Sequence, residues 1–181
     1  LVAVSPIFKL QKPFLKKLLE KHPEITTVVL NINNRFGPVI LGVREKVIYG
    51  SGYIEDVLCG KRFRISSRSF YQINPVQTEK LYSAAIGLAG LTGNETVLDA
   101  YCGIGTIGLS ASDKAKQVIG VEINRDAVND AIANARLNGV KNCWFTVGDA
   151  GKYMEQMAAD KVKPDVVFMD PPRAGSDERF L

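Results

Sequence analysis

A short glycine-rich segment preceded by an acidic residue is where the chain most clearly suggests chemistry. Residues 99–108 read DAYCGIGTIG, in which Gly103, Gly105 and Gly108 form a G-x-G-x-x-G pattern. These glycines let a strand turn sharply into a helix while the backbone approaches a ligand closely, because no Cβ atoms intervene. Several cofactor-binding folds use this pattern, so the glycines alone do not identify the ligand.

A single carboxylate downstream narrows the class of ligand. Glu122 lies at the end of a fully apolar segment, at the distance from the glycines that a dinucleotide-binding fold would show. A carboxylate in this place can accept hydrogen bonds from both hydroxyls of an adenosine ribose. Together with the glycines, Glu122 therefore predicts a cofactor that contains adenosine.

Three further acidic positions favour S-adenosylmethionine over a dinucleotide. Asp99 comes directly before the loop, where a carboxylate could face the ammonium group of the methionine moiety. Asp149 follows a third strand and could reach the adenine amino group, or could instead cap the next helix. Asp170 follows a fourth strand. Since ligands of open α/β sheets bind at the carboxyl ends of the strands, we expect these acids to share one crevice.

The segment Asp170-Pro171-Pro172-Arg173 suggests a site for a planar base. Two prolines fix φ and remove two backbone donors, so the aspartate and nearby carbonyls would form a rigid acidic rim. An enzyme that modifies a base takes it out of its stack into such a pocket.

The elements that position these residues alternate between strand and helix from about residue 70 onward. Asn74 and Gln77 predict the N-terminus of a first helix, whose buried face would carry Leu81, Ala84, Ala85 and Leu88. The further elements expected are strands Thr96–Ala100, Gln117–Val121, Trp144–Val147 and Asp165–Met169, and helices from Thr106, at Arg125–Leu137 and at Gly151–Ala159. This rhythm predicts a parallel sheet covered by helices, which is an α/β, Rossmann-like fold.

Residues 1–69 contain several short β-type segments and one helical segment. This pattern predicts a smaller α+β domain ahead of the domain at residues 70–181. One helix is expected at Lys12–Lys21, with strands at Thr26–Asn31, Val39–Val43, Lys46–Tyr49 and Phe63–Ile65. Near the boundary, basic residues alternate with aromatic ones, which is compatible with a solvated strand edge or with an RNA-contacting surface. They are Lys61, Arg62, Arg64 and Arg68, with Phe63 and Phe70.

Composition excludes a membrane-spanning class and indicates an ordinary globular protein. Of 181 residues, 46% are apolar and 23% charged, and the net charge of +4 is compatible with a polyanionic partner without requiring one. No apolar run approaches the ~20 residues that span a bilayer. The three cysteines have no metal-binding spacing and indicate reduced thiols, so we expect a cytoplasmic protein. The chain begins at Leu1, and we interpret it as a piece of a longer protein.

Four segments together resemble the RNA 5-methyluridine (uracil-C5) methyltransferase family, most closely its bacterial ribosomal-RNA branch of the RlmCD type. They are Ser69–Leu81, Leu98–Thr106, Gly120–Glu122 and Asp170–Arg173. The resemblance is specific from about residue 60 to the end and weaker before it. It implies a class I S-adenosylmethionine-dependent methyltransferase fold, incomplete at its C-terminus, and an RNA partner, foremost ribosomal RNA.

The resemblance also implies roles for individual residues. The family's cofactor-contacting positions fall on Gln72, Tyr101, Glu122 and Asp170, beside Asp99, Asp149, Gly103 and Gly105 of the pocket argued above. Phe70, Asp170 and Arg173 would lie near the target base. The family adds a cysteine thiolate to uracil C6 so that C5 becomes nucleophilic. The resemblance places that cysteine and the general base after Leu181, so we assign no catalytic residue to this chain.

Three alternatives remain open from the sequence. The chain could come from a tRNA uracil-C5 or base-amino methyltransferase, from an NAD-dependent oxidoreductase with the same glycine loop, or from a non-catalytic module that binds RNA or S-adenosylmethionine. Cys102, within the glycine loop, is interpreted as a packing residue and not as a substitute nucleophile.

Overall fold

Four parallel strands form the sheet on which the candidate site depends. In the computed structural model these strands are β6 (Thr96–Ala100), β7 (Gln117–Glu122), β8 (Cys143–Val147) and β9 (Val166–Met169), in the spatial order β8-β7-β6-β9. The register sets Ala100 opposite both Val121 and Met169. The carboxyl ends of the strands are therefore level, and the loops that follow them emerge at one edge.

Helices cover this sheet on both faces because successive side chains of a strand point to opposite sides. On one face, Val97 and Val118 pack against Ile86 and Ala111. These partners come from α2 (Pro75–Leu88) and α3 (Thr106–Ala111), and α3 continues into a 3₁₀ turn at Ser112–Lys114. On the other face, Met157 of α5 (Ala150–Ala159) packs against Leu98 and Val121.

A β-hairpin is fastened to the long helix α4 (Arg125–Leu137) by two asparagines. The hairpin consists of β4 (Tyr53–Leu58) and β5 (Lys61–Ser66). Asn138, just after the helix, accepts from the Arg62 amide at 2.8 Å and donates to its carbonyl at 2.6 Å. Asn134 is fully buried and accepts from the Arg64 amide at 2.7 Å, while its Nδ2 donates to the carbonyls of Arg64 and Ile104 at 3.2 Å. Each side-chain amide thus forms the backbone hydrogen bonds with β5 that a neighbouring strand would otherwise form.

The structure describes residues 1–4, 9, 12–35, 37, 40–172 and 175–176. Contacts divide the chain into a first unit, Leu1–Ile54 with Ser66–Arg68, and a second unit, Glu55–Ile65 with Ser69–Leu181. The domain division at residue 69 stays a prediction, and by contacts residues 55–65 pack with the second unit. None of the described helices is long and apolar enough to cross a membrane.

The first unit contains a three-stranded sheet in the order β1-β2-β3 and the helix α1 (Lys12–Lys21). Strand β1 (Val2–Ala3) runs parallel to β2 (Val28–Ile32), and β3 (Arg44–Tyr49) runs antiparallel to β2. The strand expected at Val39–Val43 is wrong for residues 40–43, which form bends and coil, and Val39 lies outside the described residues. Strand β4 was not expected because exposed polar residues interrupt its apolar positions.

The expected buried face of α2 is also wrong, except at Ala85, which is half-buried and packs against the core. Leu81 is 63% exposed and Leu88 is 90% exposed, whereas the buried positions are Thr78, Tyr82 and Ile86. In both sets the residues recur about every four positions, so helical spacing does not distinguish the two faces of α2. The apolar character of Leu81 and Leu88 favoured the wrong face. The predicted N-cap is confirmed, since the Asn74 side chain accepts from the Gln77 amide at 3.2 Å.

We predict that Asn134→Ala destabilises the second unit by about 3 kcal/mol, because it leaves several buried backbone groups without partners. Asn138→Ala serves as the matched control and should cost about 1 kcal/mol, since Asn138 is only half-buried. Urea unfolding followed by fluorescence of Trp144, the single tryptophan and part of β8, measures both. Equal losses for the two variants would contradict the role given to Asn134.

Candidate functional site

Asp99 is the most buried of the acidic residues at the carboxyl edge of the sheet. Its side chain is 1% exposed, and its Oδ2 accepts a hydrogen bond from the Gly108 amide at 2.8 Å. A Cβ atom at residue 108 would lie 2.8 Å from this oxygen, so only glycine fits there. Burial raises the pKa of Asp99 to about 7; the Gly108 amide lowers it, and the charges of Asp170 and Glu122 raise it further. The strand continues one residue beyond Asp99, to Ala100.

Glu122 ends β7 with a carboxylate that two backbone amides hold in place. Oε2 accepts from the Gly103 amide at 3.1 Å, and Oε1 accepts from the Asn124 amide at 2.8 Å. An ionised carboxylate has about four acceptor positions. Two of them remain after these bonds, so the orientation of the group is fixed while it can still accept from a ligand.

Asp149 caps the helix that follows β8. Its side chain accepts from the Lys152 amide at 3.0 Å, which is the capping role that the sequence left open beside ligand binding. The two roles are compatible, because Asp149 also lines a pocket together with Glu122.

Two pockets at this edge share Tyr101. The larger has a cavity volume of about 260 Å³ and is lined by Tyr101, Val121, Glu122, Ile123, Gly148, Asp149, Ala150, Gly151, Pro172 and Gly175. The narrower one is lined by Phe70, Tyr71, Gln72, Tyr82, Asp99, Tyr101, Cys102, Gly103, Ile104, Thr106, Ile107 and Asp170. Tyr101 itself has φ of 62°, a left-handed conformation that is unusual for an aromatic residue. The four acidic residues thus lie around one continuous edge.

The electrostatic character of this edge is acidic. Among the described residues that line the two pockets there are four carboxylates, and Lys, Arg and His are absent. Asp99 shows the effect directly, since its acidic neighbours contribute to its raised pKa. A cationic or hydroxyl-rich ligand suits such a surface, whereas an anionic diphosphate would be repelled.

Two of the positions expected to face a target base line the narrower pocket: Phe70, which is 73% exposed, and Asp170, which is also exposed. Gln72, which was expected to contact the cofactor, is half-buried and lines the same pocket. Arg173 lies outside the described residues. The roles assigned to these side chains remain predictions.

Several lining residues were missed from the sequence. The Tyr82 hydroxyl lies 2.9 Å from the Thr106 hydroxyl, which ties α2 to the start of α3 beside the glycine loop. Tyr82 could have been found only with the correct buried face of α2. Ile123 is 71% exposed next to Glu122 and is an apolar surface within the larger pocket. Its position directly after Glu122 was the sequence feature that could have identified it as a lining residue.

None of the three cysteines has the character of a nucleophile. Cys102 is buried in the loop, and burial raises its pKa far above the usual range. Burial also raises the pKa of Cys143, to about 12, and that of Cys59. Because thiolates are the reactive form, burial lowers the reactivity of these thiols, and the assignment of Cys102 as a packing residue stays an interpretation.

Part of the candidate site lies in a segment that is similar to a known domain family. Residues 91–175 match the family model described as a methyltransferase domain. A protein of Halalkalibacterium halodurans named an uncharacterized RNA methyltransferase is 48% identical over 171 residues, which cover 94% of this chain and 37% of that protein. One of Lactiplantibacillus plantarum with the same name is 52% identical, over 88% of this chain and 35% of that protein. The chain thus spans a little over a third of the length of these relatives.

Solved structures agree with the sequence matches. The tRNA (uracil-54, C5)-methyltransferase of Pyrococcus abyssi, in complex with S-adenosyl-L-homocysteine, matches with a TM-score of 0.75 and 25% identity, over 99% of this chain and 41% of that one. The tRNA m1G37 methyltransferase of M. jannaschii matches with a TM-score of 0.60 at 14% identity, over 95% of this chain and 50% of that one, which reflects the fold alone. The predicted α/β, Rossmann-like fold of S-adenosylmethionine-dependent methyltransferases is confirmed, and S-adenosylmethionine is supported as the cofactor of this domain.

Proposed function

We propose that the complete protein is an S-adenosylmethionine-dependent RNA methyltransferase that methylates C5 of uracil in ribosomal RNA. The observation that carries the proposal is the set of acidic side chains at the carboxyl edge of the parallel sheet, with no basic side chain among the described lining residues.

The donor set of the larger pocket fits an adenosine with a cationic substituent. Glu122 is oriented by two amides and keeps acceptor positions for the two ribose hydroxyls. Ile123 offers an apolar surface against which an adenine ring can pack, and Asp149 offers an acceptor for its amino group. Asp99 and Asp170, which line the adjoining narrower pocket, would attract the positive charges of the methionine moiety. S-adenosylmethionine supplies an electrophilic methyl group when it is bound.

The NAD alternative is disfavoured by the same charges. A dinucleotide would bring its anionic diphosphate to an edge with four carboxylates and no described basic group. Like charges in a partly desolvated pocket repel each other. The loop that could bind a diphosphate is therefore better suited to a ligand without one.

The narrower pocket suits a pyrimidine that has left its stack. The Phe70 ring is exposed at its mouth, where an aromatic face can stack on a base. Asp170 lies at the same pocket, and a carboxylate there can accept from the N3–H of uracil. The likeness to the uracil-C5 enzyme of Pyrococcus abyssi supports uracil as the base.

Methylation at C5 needs a thiolate that adds to C6, and a base that removes the C5 proton before the thiolate leaves. Cys59, Cys102 and Cys143 do not meet this requirement, because burial raises the pKa of each. The resemblance places both groups after Leu181. Ribosomal RNA as the substrate also rests on the resemblance, whereas the Pyrococcus neighbour favours tRNA as the second candidate.

We predict that this chain binds S-adenosylhomocysteine and not NAD, and that Glu122→Gln weakens binding at least tenfold, about 1.4 kcal/mol. The amide nitrogen would face backbone donors that now meet a carboxylate oxygen. Isothermal titration calorimetry measures both effects. Glu155→Gln is the matched control, because Glu155 is exposed on α5 away from the pocket lining. Binding of NAD without S-adenosylhomocysteine would overturn the cofactor assignment.

We further predict that the complete protein releases tritium to water from ribosomal RNA labelled with tritium at uracil C5, and that it does so faster than from tRNA. Tritium release from C5 measures the proposed reaction directly, because the methyl group replaces the hydrogen at C5. The present chain by itself should release none, since burial raises the pKa of each of its cysteines. Methyl groups recovered on adenine or guanine amino groups would contradict the proposal, and faster release from tRNA would replace ribosomal RNA by tRNA as substrate.

A further inference from the structure

The first unit carries far more positive charge than the chain as a whole. Within Leu1–Ile54 and Ser66–Arg68 there are nine Lys and Arg residues against three Asp and Glu residues, although the net charge of the whole chain is only +4. The second unit is therefore net negative. A polyanion that binds this chain through long-range electrostatics would be drawn to the first unit.

One pocket of the first unit concentrates this charge. It has a cavity volume of about 260 Å³ and is lined by Ile32, Asn34, Arg35, Gly42, Val43 and Arg44. None of the described residues that line it is acidic, and both arginines are exposed. Among the ion pairs between described residues, neither Arg35 nor Arg44 takes part, whereas Arg68 of the same unit pairs with Glu45 at 3.4 Å.

Acidic groups near this pocket point elsewhere. Glu45 is the neighbour of Arg44 in β3, and successive strand residues project to opposite faces, so its carboxylate lies on the other face of the sheet. Lys46 is two residues beyond Arg44 and shares its face. Two of the three residues on the face of β3 that carries Arg44 are therefore basic.

The backbone of the pocket is held rigidly by two asparagines. Asn31 is 3% exposed; its Oδ1 accepts from the Gly42 amide at 2.7 Å, and its Nδ2 donates to the Gly42 carbonyl at 3.0 Å. A Cβ atom at Gly42 would lie only 1.9 Å from the Ile32 carbonyl oxygen, so the close approach of the two segments requires glycine. Asn33 likewise accepts from the Arg35 amide at 3.1 Å and donates to the Ile40 carbonyl at 3.0 Å. Both segments that carry the arginines are thus fixed before any ligand arrives.

We propose that this pocket binds a phosphodiester of the RNA backbone through the guanidinium groups of Arg35 and Arg44. A guanidinium presents its donors in a planar fork that matches phosphate oxygens, and it is always charged. The apolar side chains of Ile32 and Val43 form walls against which a ribose can pack. That the polyanion is RNA rests on the proposed function, whereas the preference for a phosphate group rests on the pocket.

The test measures binding of a fluorescein-labelled, uridine-containing single-stranded RNA to the full chain by fluorescence anisotropy, between about 50 and 200 mM KCl. We expect Arg35→Ala with Arg44→Ala to weaken binding about tenfold and to lower the slope of log K against log salt by about 1. Lys17→Ala with Lys21→Ala on α1 is the control, because it removes the same charge from exposed positions of the same unit. It should change the affinity less than threefold, which is roughly the effect of a distant surface charge.

Equal effects of the two double variants would overturn the proposal, since they would show that RNA responds only to the overall charge of the unit and not to this pocket. Arg35→Lys with Arg44→Lys keeps the charge but loses the fork, and it should recover only part of the affinity. Inorganic phosphate should compete with RNA in the unmodified chain and not in the double alanine variant; competition in both would also overturn the proposal.

A second measurement distinguishes failure of the phosphate-binding proposal from failure of the proposed methyltransferase function. The double alanine variant should bind S-adenosylhomocysteine with unchanged affinity, because the pocket shares no residue with the carboxyl edge of the parallel sheet. A chain that binds RNA through Arg35 and Arg44 without binding S-adenosylhomocysteine would keep the phosphate site and refute the methyltransferase assignment.

Discussion

Hydrogen bonds from backbone amides to acidic side chains at the ends of parallel strands are the interaction on which the rest of this structure depends. Asp99 accepts from Gly108, and Glu122 accepts from Gly103 and Asn124. Without these amides the carboxylates would repel one another, because level strand ends bring them to the same edge. The residual repulsion and burial are visible in the pKa of Asp99, which rises to about 7. The edge is therefore prepared for a ligand that brings positive charge.

The glycine loop owes its shape to contacts on its other side as well. Gly103 and Gly105 both have positive φ, and the carbonyl of Ile104 between them accepts from Asn134. The same asparagine bonds both backbone groups of Arg64 in the hairpin. One buried amide thus connects the loop, helix α4 and a strand that sequence patterns assign to a different part of the chain.

Sequence patterns were sufficient where local chemistry decides the structure. The turn from β6 into α3, the Asn74 cap and the alternation of strands and helices follow from glycines, caps and apolar runs, and all are present. The buried face of α2 could not be predicted, because it depends on a tertiary contact of Tyr82 with Thr106 rather than on the hydrophobicity of Leu81 and Leu88. The hairpin strand β4 was missed for a different reason, since exposed polar residues interrupt its apolar positions. The positions of the acids at this edge were predictable, and so was the capping role of Asp149, whereas the backbone amides that bind Asp99 and Glu122 were not.

The protonation of Asp99 offers the most direct measurement of whether the acidic edge binds a cation. Its raised pKa means that part of the population carries a proton at pH 7, and a nearby positive charge favours the ionised form. S-adenosylmethionine can be titrated into the chain at that pH by calorimetry, in two buffers with different heats of ionisation, so that their difference counts the protons exchanged. We expect binding to release protons in the unmodified chain and Asp99→Asn to abolish this release. Proton uptake on binding, or the same exchange in both proteins, would show that Asp99 does not respond to a bound cation.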